Sequence, residues 1–322
     1  MKIVYLNTNY EDSHIEEKHI HAAGMQLHVH NGLKPSEFAP AVEDADALVV
    51  ALEKVDRNLL DGMPKLRVIG RMGVGIDSVD IEAASKRGIP VINVPDYCIE
   101  EVALQAVSMI LAAHRKLVPA QTIVKDGRWD NNELKPIQAL SGLTLGLIGM
   151  GRIGNKVIEY MRAFGLRIAV SDPFLRADQV PTGVELLSFE ELLKEADILS
   201  IHCPLTPETK HIINRDTLAL MKKQPIIVNV SRGGMINEQD LAEGLDNGQI
   251  RYAALDVLNQ EPPDIGHPLI HHPKALITNH IAWYSVEAEI RLREMSVTRV
   301  IDYLEGRPVP TIVNAKGLEA LK

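Results

Sequence analysis

The chain has 322 residues, of which 46% are hydrophobic and 24% charged, the make-up of a globular protein with about two domains, each able to bury a core. A formal charge of −9 argues against a nucleic-acid surface, which is usually basic, and gives no reason to expect binding to anionic membranes. Two cysteines, Cys98 and Cys203, make no disulfide framework and match a reducing compartment; the opening MKIVYLN is too quickly polar for a signal peptide, and no apolar stretch nears the ~20 residues of a membrane span, so a cytoplasmic protein is expected.

Short apolar runs alternate with helical patterns almost throughout. In the first hundred residues KIVYLN (2–7), ADALVVA (45–51), LRVIG (66–70) and IPVINV (89–94) are predicted strands. DIEAASKRG (80–88) is a predicted helix with Asp80 as N-cap and Gly88 as its stop. A long helical pattern follows, from about Ile99 to Val124. A second strand series comes next: LTLGLIG (143–149), LRIAVSD (166–172), ADILSIHC (196–203), PIIVNVS (225–231), YAALDV (252–257) and ALITNH (275–280). A last helical stretch, Val286 to Leu304, leads into RPVPTIVN (307–314). Strands alternating with helices imply an α/β protein with parallel sheets covered on both faces, and the two series imply two separate sheets.

The most informative segment runs from Leu143 to Asp172. Gly149, Gly151 and Gly154 form G-x-G-x-x-G between an apolar strand and an amphipathic helix that Gly165 ends. Gly149 permits the tight turn, Gly151 lets backbone approach a pyrophosphate, and Gly154 lets helix pack on strand. The helix N-terminus, with Arg152 and Ile153, offers amides to phosphates. Asp172 closes the second strand near the ~20-residue spacing of a ribose-binding acid, which favours NAD over NADP. Arg176, four residues on, leaves room for NADP tolerance.

A dinucleotide domain implies redox chemistry without naming a substrate. Reducing a 2-oxo acid by hydride transfer needs a cation for the carboxylate and carbonyl, and a proton donor, with a carboxylate partner to orient it. One candidate for each role lies at the C-terminal end of a predicted strand, where open α/β sheets bind ligands. Arg232 follows IIVNVS, Glu261 lies in NQEPP, and His280 closes ALIT.

In order, VIGRMGVGIDSVD, VINVPDYCIEEVA, LGLIGMGRIG, VNVSRGG, ALDV-x-x-x-EPP and NHIAWYS resemble the D-isomer-specific 2-hydroxyacid dehydrogenases, from about residue 65 to 308 by motif. The resemblance implies a Rossmann dinucleotide domain, residues 98–284, inserted into a flavodoxin-like substrate domain, residues 1–97 plus 285–322, both doubly wound. It makes Arg232, Glu261 and His280 the catalytic trio. Met72, Gly73, Val74 and Gly75 become a loop whose backbone amides meet the substrate carboxylate, and Trp283 a wall of the substrate site. Asp256 falls near the nicotinamide carboxamide, Pro204 and Thr209 on the adenosine side, and Val230 and Ser231 on the nicotinamide side. Arg232 and His280 also border the cofactor. The long helix after Cys98 belongs, by resemblance, to a homodimer interface.

Departures carry information too. Gln105, in EVALQA, stands where the family often has histidine. Glu261 replaces the glutamine of the formate-oxidising branch, and Val74 the lysine of the phosphite-oxidising branch, which argues against both substrates. HIAWYS is also similar to the corepressor branch, so an NAD(H)-sensing dimeric binding protein with little turnover is the alternative. His14, His19, His21, His28 and His30 cluster near the start, but no acid or cysteine set completes a metal site. Cys98 is expected to be a small buried residue. The expected function is NAD-dependent interconversion of a small 2-oxo acid and its D-2-hydroxy acid.

Overall fold

A computed structural model of the chain describes residues 1–8 and 10–320. The chain forms two units, one of Met1–Cys98 with Ser285–Lys322, the other of Ile99–Tyr284.

The first unit is built on five parallel strands, β1 (Lys2–Leu6), β2 (Gln26–His30), β3 (Ala47–Val50), β4 (Val68–Arg71) and β5 (Val91–Ile92), in the order β2-β1-β3-β4-β5. β1 from Ile3 onward and all of β3 are buried, as expected of strands covered on both faces. The winding reverses between β1 and β3. Helix Ile81–Lys86 starts where Asp80 accepts the Ala83 amide. The long helix Val286–Leu304 packs so closely on the sheet that a Cβ on Gly70 would stand 2.7 Å from Val300 Cγ2. It is tied to helix His14–Ala22 by Arg293, which donates to both oxygens of Glu16 at 2.8 and 2.7 Å. Both residues are buried, so removing Arg293 leaves the Glu16 charge uncompensated, whereas Arg293 also pairs with Asp12 at 3.1 Å. Beyond that helix, Ile312 pairs with Ile92, and the buried Asn314 side chain accepts the Val91 amide.

The second unit is a seven-stranded parallel sheet: β6 (Thr144–Ile148), β7 (Arg167–Ser171), β8 (Val184–Leu186), β9 (Ile198–Ile201), β10 (Ile226–Asn229), β11 (Tyr252–Leu255) and β12 (Ala275–Ile277). Its order is β12-β11-β10-β9-β6-β7-β8. The winding reverses between β6 and β9, the point at which doubly wound sheets open a crevice at their carboxyl edge.

Three features differ from the sequence expectations. β2 and β8 are additional strands, both at sheet edges; one is half polar and the other three residues long, as edge strands often are. The stretch from Ile99 to Val124 is two helices, Ile99–His114 and Leu117–Lys125, separated at Lys116 with φ +53°. Pro119 explains the break: in one continuous helix its ring would meet the carbonyl four residues back, whereas in the first turn of a new helix it is tolerated. Among the described residues no helix is long and apolar enough to cross a membrane.

Candidate active site

The glycine turn leaves β6 at the reversal of the second sheet. Gly149 has φ +89°, and a Cβ there would lie 2.9 Å from the Cys203 amide nitrogen; a Cβ on Gly154 would lie 2.8 Å from the Gly149 carbonyl oxygen. Gly151 faces open space. It precedes helix Arg152–Met161, whose N-terminus has no side-chain cap, so first-turn amides are available to an anion. Arg152 is exposed and Ile153 half-buried. Asp172 accepts the Met150 amide at 3.0 Å on one oxygen and the Phe174 amide at 3.0 Å on the other. Each oxygen keeps a lone pair for a ribose hydroxyl. A close turn, an open glycine, free amides and an anchored acid at one reversal fit a dinucleotide.

Next along this edge, Thr209 donates its hydroxyl to the Pro204 carbonyl at 2.7 Å and accepts the Thr206 amide at 2.7 Å. The two residues shape the loop after β9. Beneath the turn lies His202, whose Nε2 is 2.8 Å from Ser200 Oγ and whose buried Nδ1 has no partner among the described residues. Burial pushes its pKa down to about 4.

β10 ends at Asn229, whose buried side chain accepts the Ser231 amide at 3.0 Å and donates to the Arg232 carbonyl at 2.8 Å. Val230 is buried and the Ser231 hydroxyl donates to the Ile201 carbonyl at 3.0 Å. These contacts fix the turn that presents Arg232. The next residue, Gly233, touches the chain at Leu258–Asn259, and a Cβ would stand 2.0 Å from Leu258 C. That loop carries Glu261. It is held in turn by Glu238, which accepts the Asn259 amide at 2.7 Å and lies 3.1 Å from His267 Nε2.

Glu261 Oε1 accepts the Leu258 amide at 3.0 Å, and Oε2 lies 2.5 Å from His280 Nδ1. Burial works to raise the Glu261 pKa; the hydrogen bond and charge of His280, the Leu258 amide and the charge of Arg232 outweigh it, and the net shift is downward. The structure thus puts Glu261 and His280 in direct contact and Arg232 within electrostatic reach of Glu261.

His280 has φ +57°. Its turn is held by Asp256, which is 1% exposed and so needs partners for its charge. Asp256 accepts the Thr278 hydroxyl at 2.5 Å and the amides of Ile281 and Ala282 at 3.1 and 3.0 Å, while its carbonyl accepts the His280 amide at 2.8 Å. Gln105 donates to Thr278 at 3.4 Å, which connects the residue that departs from the family pattern to the histidine turn. Trp283 packs edge-on against Tyr284, ring centres 5.5 Å apart. Asn229, Glu238 and Thr278 had no sequence signal of their own: Asn229 and Glu238 hold loop backbone, and Thr278 bonds the side chains of Asp256 and Gln105.

In the first unit, Met72 differs from expectation. Its amide bonds the Val50 carbonyl at 2.8 Å, continuing the sheet, and its side chain is buried. The donors left for a ligand are the amides of Gly73, Val74 and Gly75, for which no acceptor is seen among the described residues. Cys98 is buried, as expected. Among the described residues, no group of three or more His, Cys, Asp or Glu is arranged to hold a metal ion.

Residues 107–282 match the family described as D-isomer specific 2-hydroxyacid dehydrogenase, NAD binding domain. The chain is 41% identical over 292 residues to a D-3-phosphoglycerate dehydrogenase of Methanocaldococcus jannaschii, covering 90% of this chain and 55% of the relative. It is 39% identical over 279 residues to a glyoxylate reductase of Aeropyrum pernix, covering 84% and 83%. The chain therefore spans about half the length of phosphoglycerate dehydrogenases it matches, and most of the length of the glyoxylate reductase. A solved D-lactate dehydrogenase of Aquifex aeolicus, in complex with NAD and lactic acid, superposes with a TM-score of 0.86 at 29% identity, covering 98% of each chain.

Proposed function

The chain belongs to the D-isomer-specific 2-hydroxyacid dehydrogenase family, and we propose that it interconverts a small 2-oxo acid and its D-2-hydroxy acid with NAD. The observation that carries this reading is the 2.5 Å pair of His280 and Glu261. With Nδ1 held by the carboxylate, Nε2 is the ring nitrogen left for substrate.

When bound, NAD(H) would supply the hydride in reduction and take it up in oxidation. The residues do the rest. His280 gives its Nε2 proton to the carbonyl oxygen in the reducing direction and accepts it back in the other. Glu261, held ionised, stabilises the imidazolium and fixes the tautomer. Arg232 binds the substrate carboxylate and polarises the carbonyl, as a planar fork of donors can. In the first unit, the donors this reading assigns to an anion are the amides of Gly73, Val74 and Gly75. Gly149, Gly151, Arg152, Ile153 and Gly154 hold the pyrophosphate, Asp172 the ribose, Pro204 and Thr209 the adenosine side, and Val230, Ser231 and Asp256 the nicotinamide side.

Asp172 repels a 2′-phosphate, so NADH should be preferred to NADPH; a kcat/KM ratio favouring NADPH would remove that assignment. Trp129 is 91% exposed, with Leu104, Leu117 and Val124 each at least half exposed on the two helices before it. This apolar set supports a homodimer formed through the second unit, and Trp129→Glu should shift its mass in solution toward the monomer.

A panel of 2-oxo acids with NADH absorbance as readout tests the function. Turnover of glyoxylate, pyruvate or hydroxypyruvate at ordinary enzyme rates is expected. NADH binding with negligible turnover across the panel would favour a cofactor-sensing binding protein instead.

A further inference from the structure

The loop after β11 runs out from Leu258 through Glu261 and returns through His267 to the buried Leu269. One side chain grips both of its limbs. Glu238, the first residue of helix Glu238–Asp246, accepts the Asn259 amide on Oε1 at 2.7 Å, and its Oε2 lies 3.1 Å from His267 Nε2. The Leu269 amide donates to His267 Nδ1 at 3.3 Å. Nδ1 is thus the accepting nitrogen, and the ring proton is on Nε2, facing Glu238. Both partners of Glu238 are therefore donors, and a carboxylate has an oxygen for each. The contact is sheltered, with the His267 and Glu238 side chains only 14% and 11% exposed, which strengthens it over a surface pair. The outgoing limb is held twice more, by the Asn259 side chain donating to the Ile236 carbonyl at 3.2 Å and by the Gly233 backbone against Leu258 and Asn259. Just beyond, Glu261 bonds the Leu258 amide and His280.

We propose that Glu238 and His267 are positioning residues for the proton transfer: a second carboxylate–imidazole pair that acts through Glu261, clasping its loop so that the carboxylate stays on His280 Nδ1. This rests on the function proposed above. The Glu261–His280 contact tolerates little movement. A loop shift of about 1 Å would stretch it to the limit of a hydrogen bond, and misplacement on that scale is costly to catalysis. The clasp needs two acceptors on one side chain, so charge and shape at Glu238 are both part of it.

The test is reduction of a 2-oxo acid by NADH in the wild type, Glu238→Gln, Glu261→Gln and the double variant, with thermal melts and NADH binding by fluorescence alongside. Glutamine fills the volume of Glu238 but brings one oxygen to two donors. Glu238→Gln should lower kcat about 10- to 100-fold, while KM for the 2-oxo acid and the Kd for NADH change little. In the Glu261→Gln background the carboxylate to be positioned is already gone, so the same change should cost less than about threefold; general damage to the fold would cost an equal factor in both. His267→Ala removes one partner and spares the Asn259 bond. It should show the same unequal losses in the two backgrounds, and it decides the matter if Glu238→Gln does not fold. An unchanged kcat in a folded Glu238→Gln, or equal losses in the two backgrounds, overturns the proposal and leaves the proposed function standing. A wild type that turns over no 2-oxo acid overturns that function, and this inference with it.

Discussion

Gly233 and Leu258 are in backbone contact: a Cβ on the glycine would stand 2.0 Å from the leucine carbonyl carbon. The turn presenting Arg232 and the loop presenting Glu261 are therefore one packed piece. Gly233→Ala should force them apart, lowering kcat/KM on the order of 100-fold by misplacing the trio, while overpacking costs about 1–3 kcal/mol of stability. Steady-state kinetics beside a thermal melt checks both. Near-wild-type kinetics in a folded variant would mean that the two loops are not coupled.

His280→Ala should lower kcat by about 10²–10⁴, the usual cost of a general acid. Arg232→Ala should instead raise KM steeply for a 2-oxo acid. Unchanged KM in Arg232→Ala would remove the arginine from substrate binding.

Glu261→Gln separates positioning from charge. The glutamate carboxyl is held below its ordinary value, so it stays ionised wherever reduction is assayed. Without the anion, the ring that carries the proton loses its charged partner, so kcat should fall about tenfold to 100-fold while KM for the 2-oxo acid changes little. An unchanged kcat would show that Glu261 acts through geometry alone.

His202 predicts an acid weakness unrelated to catalysis. Its folded pKa, about 4, lies below the ordinary imidazole value of 6.5. The unfolded chain therefore binds more protons between those values, and stability present above pH 6.5 is lost as pH falls toward 4, by at most roughly 3 kcal/mol. Melting temperature should drop over that window, and His202→Asn should flatten the drop. Parallel curves for the two proteins would contradict the burial argument.

Much of this was legible in sequence because it depends on local chemistry. Both sheets, the Asp80 cap, the helix Val286–Leu304 and the glycine turn all announce themselves by period or by residue type. Two of the edge strands, β2 and β8, did not, although the edge strands β5 and β12 did: β2 alternates only partly, and the short β8 carries a glutamate at its centre. The helix break at Lys116 was missed because the cause, Pro119, lies three residues beyond it. At the site, Glu261 and His280 could be named from strand-end position and family pattern. Asp256 could be named too, but not its part in holding the His280 turn, and Asn229 and Glu238 could not be named at all, because these side chains bind backbone amides, which carry no side-chain identity. Met72 shows the converse limit: a motif places a loop, but only the sheet register shows which of its amides are already taken.

The Gly70–Val300 and Glu16–Arg293 contacts join, within the first unit, segments that lie on either side of the second in the chain. On the ribosome, the second unit is continuous and complete once Tyr284 has emerged, whereas the first must wait for the helix that covers β4 and neutralises Glu16. The sheet made before the second unit is thus finished after it. During that interval the β4 face and a buried-to-be carboxylate stay exposed, the kind of transient surface that chaperones shield.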